Sequence, residues 1–267
     1  DAYTALLLQG DGTGFSGTAG DTFTDESASP GLGAKTVTNG TSAVTLRQGV
    51  SAFGANSYYF TGSSGSKLSI PSSSDFAMGT GAFTVETWIR FDAVAANQFI
   101  MGTTSGTDND FDLYMDCTGS DQGPVMYLND TAYRSVGNTP PAGGAKSWTH
   151  IAVQRDSSNV LSMFMNGHLI GTHSNATANI LADPIALGQQ WNDGDRFAGY
   201  MDSFHISKGI ARYGYAGANI KVGLNAVHHS HCKLLLTSNT YSGNTHFDDF
   251  SDQGNYWNQT PENYYFD

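Results

Sequence analysis

The strand-like run GYMDSFHIS (199–207) carries a carboxylate where an apolar side chain is expected. Alternation on a strand places Tyr200, Asp202, Phe204 and Ile206 on one face, and three of the four suit a core. A carboxylate buried there costs several kcal/mol unless it is paired, hydrogen-bonded or bound to a metal. No neighbouring Lys or Arg is obviously placed to pair with Asp202. Two chemistries stay open: its oxygens coordinate a hard cation, or they accept backbone N–H groups from a nearby loop.

Two further groups of polar residues have types and spacing suited to chemistry. In TDNDFDLYMD (107–116), Asp108, Asp110, Asp112, Tyr114 and Asp116 share one strand face, opposite Phe111, Leu113 and Met115. Carboxylates about 7 Å apart repel one another, so this face is a groove for a cation or sugar, or else a solvated surface. QQWNDGDRFAG (189–199) lies between two strands and reads as a rim loop. There Trp191 could stack on a sugar ring while Asn192, Asp193 and Asp195 hold hydroxyls; the alternative is a turn whose Trp covers the core edge. Glu86 and Trp88, on the non-core face of their strand, form a weaker candidate. His228, His229 and His231 in HHSH point apart on an extended chain and read as a linker.

The elements that must position these residues are strands. Of 267 residues, 32 are Gly and only 13% are charged, and Glu occurs only as Glu26, Glu86 and Glu262, a profile of short strands and many turns. Strand signals recur in ALLLQ (5–9), SYYFTG (57–62), KLSIP (67–71), AFTVETWIRFD (82–92), QFIMGT (98–103), DFDLYMD (110–116), WTHIAVQRD (148–156), VLSMFMNGHLIGTH (160–173), IALGQ (185–189) and GYMDSFHIS. Asn166-Gly167 predicts a two-residue hairpin turn, because both residues tolerate positive φ. About twelve strands with tight turns predict an all-β, two-sheet antiparallel β-sandwich. The net charge of −12 disfavours nucleic acid and anionic membrane surfaces as partners. No apolar run approaches the length of a membrane-spanning helix. Cys117 falls on the core face of its strand, and with only Cys232 beside it the chain has no disulfide framework.

Leu-Leu-Leu, a Gly/Ser/Thr loop and then Phe-x-Asp-x-Ser occur twice, ending in Phe23, Asp25 and Ser27 and again in Phe247, Asp249 and Ser251. This spacing predicts a domain over residues 1–215, a linker over 216–231, and a partial second copy or docking tail over 232–267.

YTALLLQGDG, TFTDES, FGANSYYFTGSSGSKLSIPSSSDFAMGTGAFTVETWIRF, WTHIAVQRDSSNVLSMFMNG and GYMDSFHISKGIARYG resemble, in order, the laminin G-like (concanavalin A-like lectin/glucanase) jelly-roll domains. The closing phrase ISKGIARYG is similar to the version found in bacteriophage tail, fibre and capsid-associated proteins. The resemblance implies a jelly roll that binds glycans or other proteins, often with calcium. It also implies that the first and last strands lie close together, which would bring Asp11 and Asp25 near Asp202 as a calcium set. The hydrolase branch of this fold carries a Glu-x-Asp-x-Glu strand, and here Glu86 is followed by Thr87 and Trp88, so no enzyme is expected. Lys208 and Arg212 in the closing phrase are expected to pin a turn. The expected role is that of a virion-surface protein contacting host glycans or neighbouring virion subunits, with homo-oligomers as a further partner reading. The alternative is a secreted, extracellular carbohydrate-binding module.

Overall fold

The computed structural model describes residues 2–10, 23–27, 33–39, 44–93, 97–103, 111–118, 122–135, 145–213, 236–238 and 247–249. The chain divides into two compact units, Asp1–Lys221 and Val222–Asp267. In chain order the first contains β1 (Thr4–Leu8), β2 (Phe23–Thr24), β3 (Thr36–Asn39), β4 (Val44–Gln48), β5 (Asn56–Thr61), β6 (Leu68–Ile70), β7 (Phe83–Phe91) and β8 (Gln98–Thr103). It continues with β9 (Phe111–Asp116), β10 (Gly123–Leu128), β11 (Thr131–Arg134), β12 (Thr149–Arg155), β13 (Leu161–Met165), β14 (His168–His173), β15 (Ile185–Leu187) and β16 (Ala198–Lys208). In the second unit, β17 (Leu236–Ser238) pairs antiparallel with β18 (Phe247–Asp249).

The first unit is an antiparallel two-sheet jelly-roll sandwich. One sheet has the order β14-β13-β12-β7-β16-β5-β4, with β1 added on β16, and the other runs β11-β10-β9-β8-β15-β6-β3-β2. The core lies between them. From β7 it takes Phe83, Val85, Ile89 and Phe91, from β9 Phe111, Leu113 and Met115, and from β16 Met201, Phe204 and Ile206. Cys117 belongs to this core, and burial pushes its thiol up to about 12. Arg155 is wholly buried without a carboxylate. Its guanidinium donates to the carbonyls of Gly79, Gly81, Ala176 and Ala178 and lies 5.1 Å over the Phe83 ring, tying two loops to the sheet.

Every strand expected above is present, and Asn166-Gly167 turns β13 into β14 with both φ values positive. The unit holds more strands than expected. β2, β3 and β4 are short, and β10 and β11 were concealed because GPVMYL opens on Gly-Pro. Asn129 and Asp130, both at positive φ, mark the turn between β10 and β11 and are the signal that could have found them.

The alternation expected along GYMDSFHIS is corrected by a β-bulge. Asp202 pairs with Trp88 and His205 with Glu86, so Ser203 and Phe204 together oppose Thr87. Ser203 takes φ 51°, the left-handed conformation that lets one strand hold the extra residue. Met201, Phe204 and Ile206 therefore face the core, whereas Tyr200, Asp202, His205 and Ser207 face outward. Asp202 does not share a face with Phe204, and Tyr200 is an outer-face rather than a core residue.

Candidate functional site

The bulge sits where β16 changes neighbours, pairing with β5 through residue 201 and with β1 from residue 204. The loop entering β5 presents its N–H groups there. Ala52 and Phe53 donate to Asp202 Oδ2 at 2.8 and 3.0 Å, and the Ser203 hydroxyl donates to Oδ1 at 3.2 Å. The buried carboxylate thus acts as a cap on that loop. Asp25 does the same between β1 and β3: it accepts from the N–H groups of Leu7, Ser27 and Lys35 and from the Ser27 hydroxyl. N–H and O–H donors thus converge on both carboxylates, and a calcium ion at either would share their oxygen lone pairs with those donors. Asp11 lies outside the described residues. Among the described residues no three His, Cys, Asp or Glu side chains are gathered to hold a metal.

One row further along the outer face, Glu86 is buried in a network of its own. His205 Nδ1 lies 3.0 Å from its Oε1, His150 Nε2 lies 3.4 Å from its Oε2, and the Tyr213 hydroxyl donates to Oε2. Burial works against the carboxylate's charge, but the histidine hydrogen bonds outweigh it and hold Glu86 well below the usual carboxylate range. Burial lowers His205, and burial together with the Glu86 charge raises Tyr213. The segment 208–213 straps over this centre. Lys208 Nζ donates to Ser74 O, Arg212 Nε donates to Ser207 Oγ, and the Tyr213 backbone exchanges hydrogen bonds with the Gln154 amide. Lys208 and Arg212 pin the turn, as expected. Glu86 is 1% exposed and fully engaged, so it offers no carboxylate to a substrate. Hydrolytic machinery is not found among the described residues.

The rest of that face is open and aromatic. Arg90, Tyr200 and Tyr59 stand side by side across β7, β16 and β5. The two tyrosine rings are 4.8 Å apart, with the Arg90 guanidinium 4.9 Å over Tyr200 and that of Arg47 5.1 Å over Tyr59. Trp148 meets Tyr200 edge-on at 6.4 Å, while Trp88 contacts Phe53 at 5.2 Å and His150 at 5.3 Å. All these aromatics except His150 are half-buried, and Arg47 is exposed. Sequence reasoning singled out only Trp88 here. Tyr200 was assigned to the core, and the row is assembled from five segments separated in the chain.

The rim loop brings Trp191, Asn192, Asp193 and Asp195 onto one tight hairpin closed by the Gln189–Arg196 bridge. Much of its polarity serves the turn. Asp193 accepts from Arg196 Nε at 3.0 Å and from the Ser64 hydroxyl at 2.8 Å, and these bonds hold it below its usual range. Asn192 Oδ1 accepts from Gly194 N, and the backbone of Asp195 bonds Gln190. Trp191 is half-buried, and its Nε1 has no hydrogen-bond partner among the described residues.

On the second sheet, Asp112, Tyr114 and Asp116 share the outer face as expected. Asp116 forms an ion pair with Arg134 at 2.8 Å, and Tyr114 stacks on Tyr127. Asp112 is buried and accepts from Thr103 N. Asp108, Asp110, Cys232 and the histidines of HHSH lie outside the described residues.

A family model described as the concanavalin A-like lectin/glucanases superfamily matches residues 60–211. Comparison with curated protein sequences finds no match. Among solved structures, the binding domain of paraclostridial mosquitocidal protein 1 is similar at TM-score 0.56 and 14% identity, over 78% of this chain and 50% of that one. The botulinum neurotoxin serotype D binding domain is similar at TM-score 0.56 and 15% identity, over 79% and 49%. Domain 4 of AbnA, a GH43 extracellular arabinanase from Geobacillus stearothermophilus solved with arabinotriose, is similar at TM-score 0.51 and 17% identity, over 69% and 86%. The chain spans about half the length of the two toxin binding domains. At these identities the likeness is one of fold.

Proposed function

The chain belongs to the concanavalin A-like lectin/glucanase superfamily, and from that premise we propose that its jelly roll is a non-enzymatic, extracellular glycan-binding module. The observation that carries this reading is the row of half-exposed aromatics on the outer face of the first sheet, Trp148, Tyr200 and Tyr59. Sugar rings bury their C–H faces on such flat, rigid side chains, and neighbouring polar groups fix their orientation. The rim hairpin, with Trp191, Asn192, Asp193 and Asp195, is a second surface for the same chemistry. The likeness of this fold to a botulinum neurotoxin binding domain and to an extracellular arabinanase domain solved with arabinotriose favours a secreted module. A virion-surface role, in contact with host glycans or neighbouring subunits, is the second reading, supported by the ISKGIARYG phrase and the partial internal repeat.

A glycan array probed with the full chain tests the proposal. Binding is expected to fall at least tenfold in Trp148→Ala with the melting temperature retained, and no reducing sugar should be released. An array blank for the folded chain, or glycan turnover, overturns it. Antibody labelling of purified particles against cell-free medium separates the virion reading from the secreted one.

A further inference from the structure

We propose that the outer face of the first sheet selects anionic glycans, through Arg47 and Arg90 set on either side of the Tyr59–Tyr200 pair. The inference rests on the glycan-binding reading and names its ligand class. It follows from where the cations are spent. Of the 12 Lys and Arg, Lys35, Arg134 and Arg196 are ion-paired to Asp75, Asp116 and Asp193, and Lys67 stands near Asp193. Arg155 is buried on carbonyls, Arg212 on Ser207, and Lys208 donates to Ser74 O. Lys221 and Lys233 lie outside the described residues.

Arg47, Arg90 and Lys146 remain; Arg47 and Arg90 share the Tyr59–Tyr200 face, and Arg90 Nε donates to the backbone carbonyl of Lys146 at 2.9 Å. Among the described residues, none of the three is ion-paired. Both guanidinium groups lie over tyrosine rings, 5.1 Å from the centroid for Arg47 and 4.9 Å for Arg90, a cation–π contact that restricts them before any ligand arrives. The described carboxylates nearby accept hydrogen bonds and form no ion pair with these cations, Asp92 from the Tyr59 hydroxyl and Asp202 from the loop N–H groups. A chain of net charge −12 repels anions in general, so unpaired, restricted cations beside stacking surfaces give local complementarity to a chain of acidic sugars.

The test uses the full chain in affinity electrophoresis against polygalacturonate, its fully methyl-esterified form, dextran sulfate and neutral dextran. Retention is expected on an acidic polymer and not on its neutral counterpart, to weaken several-fold between about 0.05 and 0.5 M salt, and to fall at least tenfold in the double variant Arg47→Gln/Arg90→Gln. The Arg47→Lys/Arg90→Lys variant keeps the charge but not the guanidinium fork and should fall between. Melting curves confirm that the variants fold. Retention on polygalacturonate assigns the recognised group as carboxylate, and retention on dextran sulfate alone assigns it as sulfate. Equal retention of acidic and neutral polymers, or a double variant that binds as the parent does, overturns the inference and leaves the glycan reading standing. Binding to neutral glycans only on the array does the same, whereas no binding to any glycan overturns both.

Discussion

Glu86 shows how one residue can look catalytic in sequence and be structural in fact. It is the only glutamate in the described strands, yet two histidines and Tyr213 enclose it. The proton positions follow from the partners. Ser207 Oγ accepts from Arg212 Nε, so its own hydrogen is free for His205 Nε2, and His205 Nδ1 donates to Glu86. A neutral His205 satisfies every bond. Burial lowers its pKa, so the unfolded chain takes a proton near pH 6.5 that the folded chain refuses. That part of the stability is complete above about pH 6.5 and is lost as the pH falls. Glu86, held below its ordinary range, contributes stability that is present above about pH 4.5 and fades further into acid. The melting temperature should therefore fall in two stages from pH 7 towards pH 3. In His205→Gln the upper stage should flatten while the lower remains. A variant whose melting temperature tracks the parent's throughout would remove His205 from this account.

At the scale of the element, the bulge in β16 decides what each outward residue does. With Ser203 in place, Met201 and Phe204 both reach the core and Asp202 reaches the loop ahead of β5. Were Ser203 held in ordinary extended conformation, plain alternation would put Asp202 and Phe204 on the same face, as simple strand periodicity expects. Either the carboxylate would enter the core or Phe204 would leave it, and each alternative costs several kcal/mol. The bulge therefore depends on the left-handed φ at Ser203: Ser203→Val, β-branched and strained at positive φ, should lower stability by about 1–3 kcal/mol, whereas Ser203→Gly, which adopts positive φ without strain, should fold. A Ser203→Val variant that melts with the parent would mean that the strand keeps its faces without this bulge. β8 and β9 show the same dependence on local fit: a Cβ on Gly102 would lie 2.2 Å from Asp112 Oδ1, so the buried carboxylate sits where a side chain is absent.

For the whole molecule, the question is what holds the N-terminal and C-terminal strands of the sandwich together. Asp25 ties the segment after β1 to Leu7 and Lys35, and Asp202 ties β16 to the loop before β5. With N–H groups as the partners, melting curves in millimolar calcium and in excess chelator should coincide. Asp202→Ala should then lower both equally, by about 2–4 kcal/mol for the donors left unpaired. A chelator-induced drop that disappears in Asp202→Ala would instead assign the carboxylate to a metal. Much of the fold was legible in the sequence: strand alternation, Asn166-Gly167 and the apolar core follow from period and turn chemistry, which act over a few residues. The Leu-Leu-Leu and Phe-x-Asp segments occur twice in the sequence; Leu7 N donates to Asp25, and Leu236 pairs with Asp249. The site was much less legible. Trp191 and its neighbours are contiguous and could be picked out, but Trp148, just ahead of β12, and Arg90, Tyr200, Tyr59 and Arg47 become one surface only when β12, β7, β16, β5 and β4 are laid side by side. Sequence fixes which face of a strand a residue occupies, unless a bulge resets it. Which residues meet across strands, and whether a carboxylate meets a histidine, an N–H group or solvent, depends on register, and register is set by packing the two sheets together.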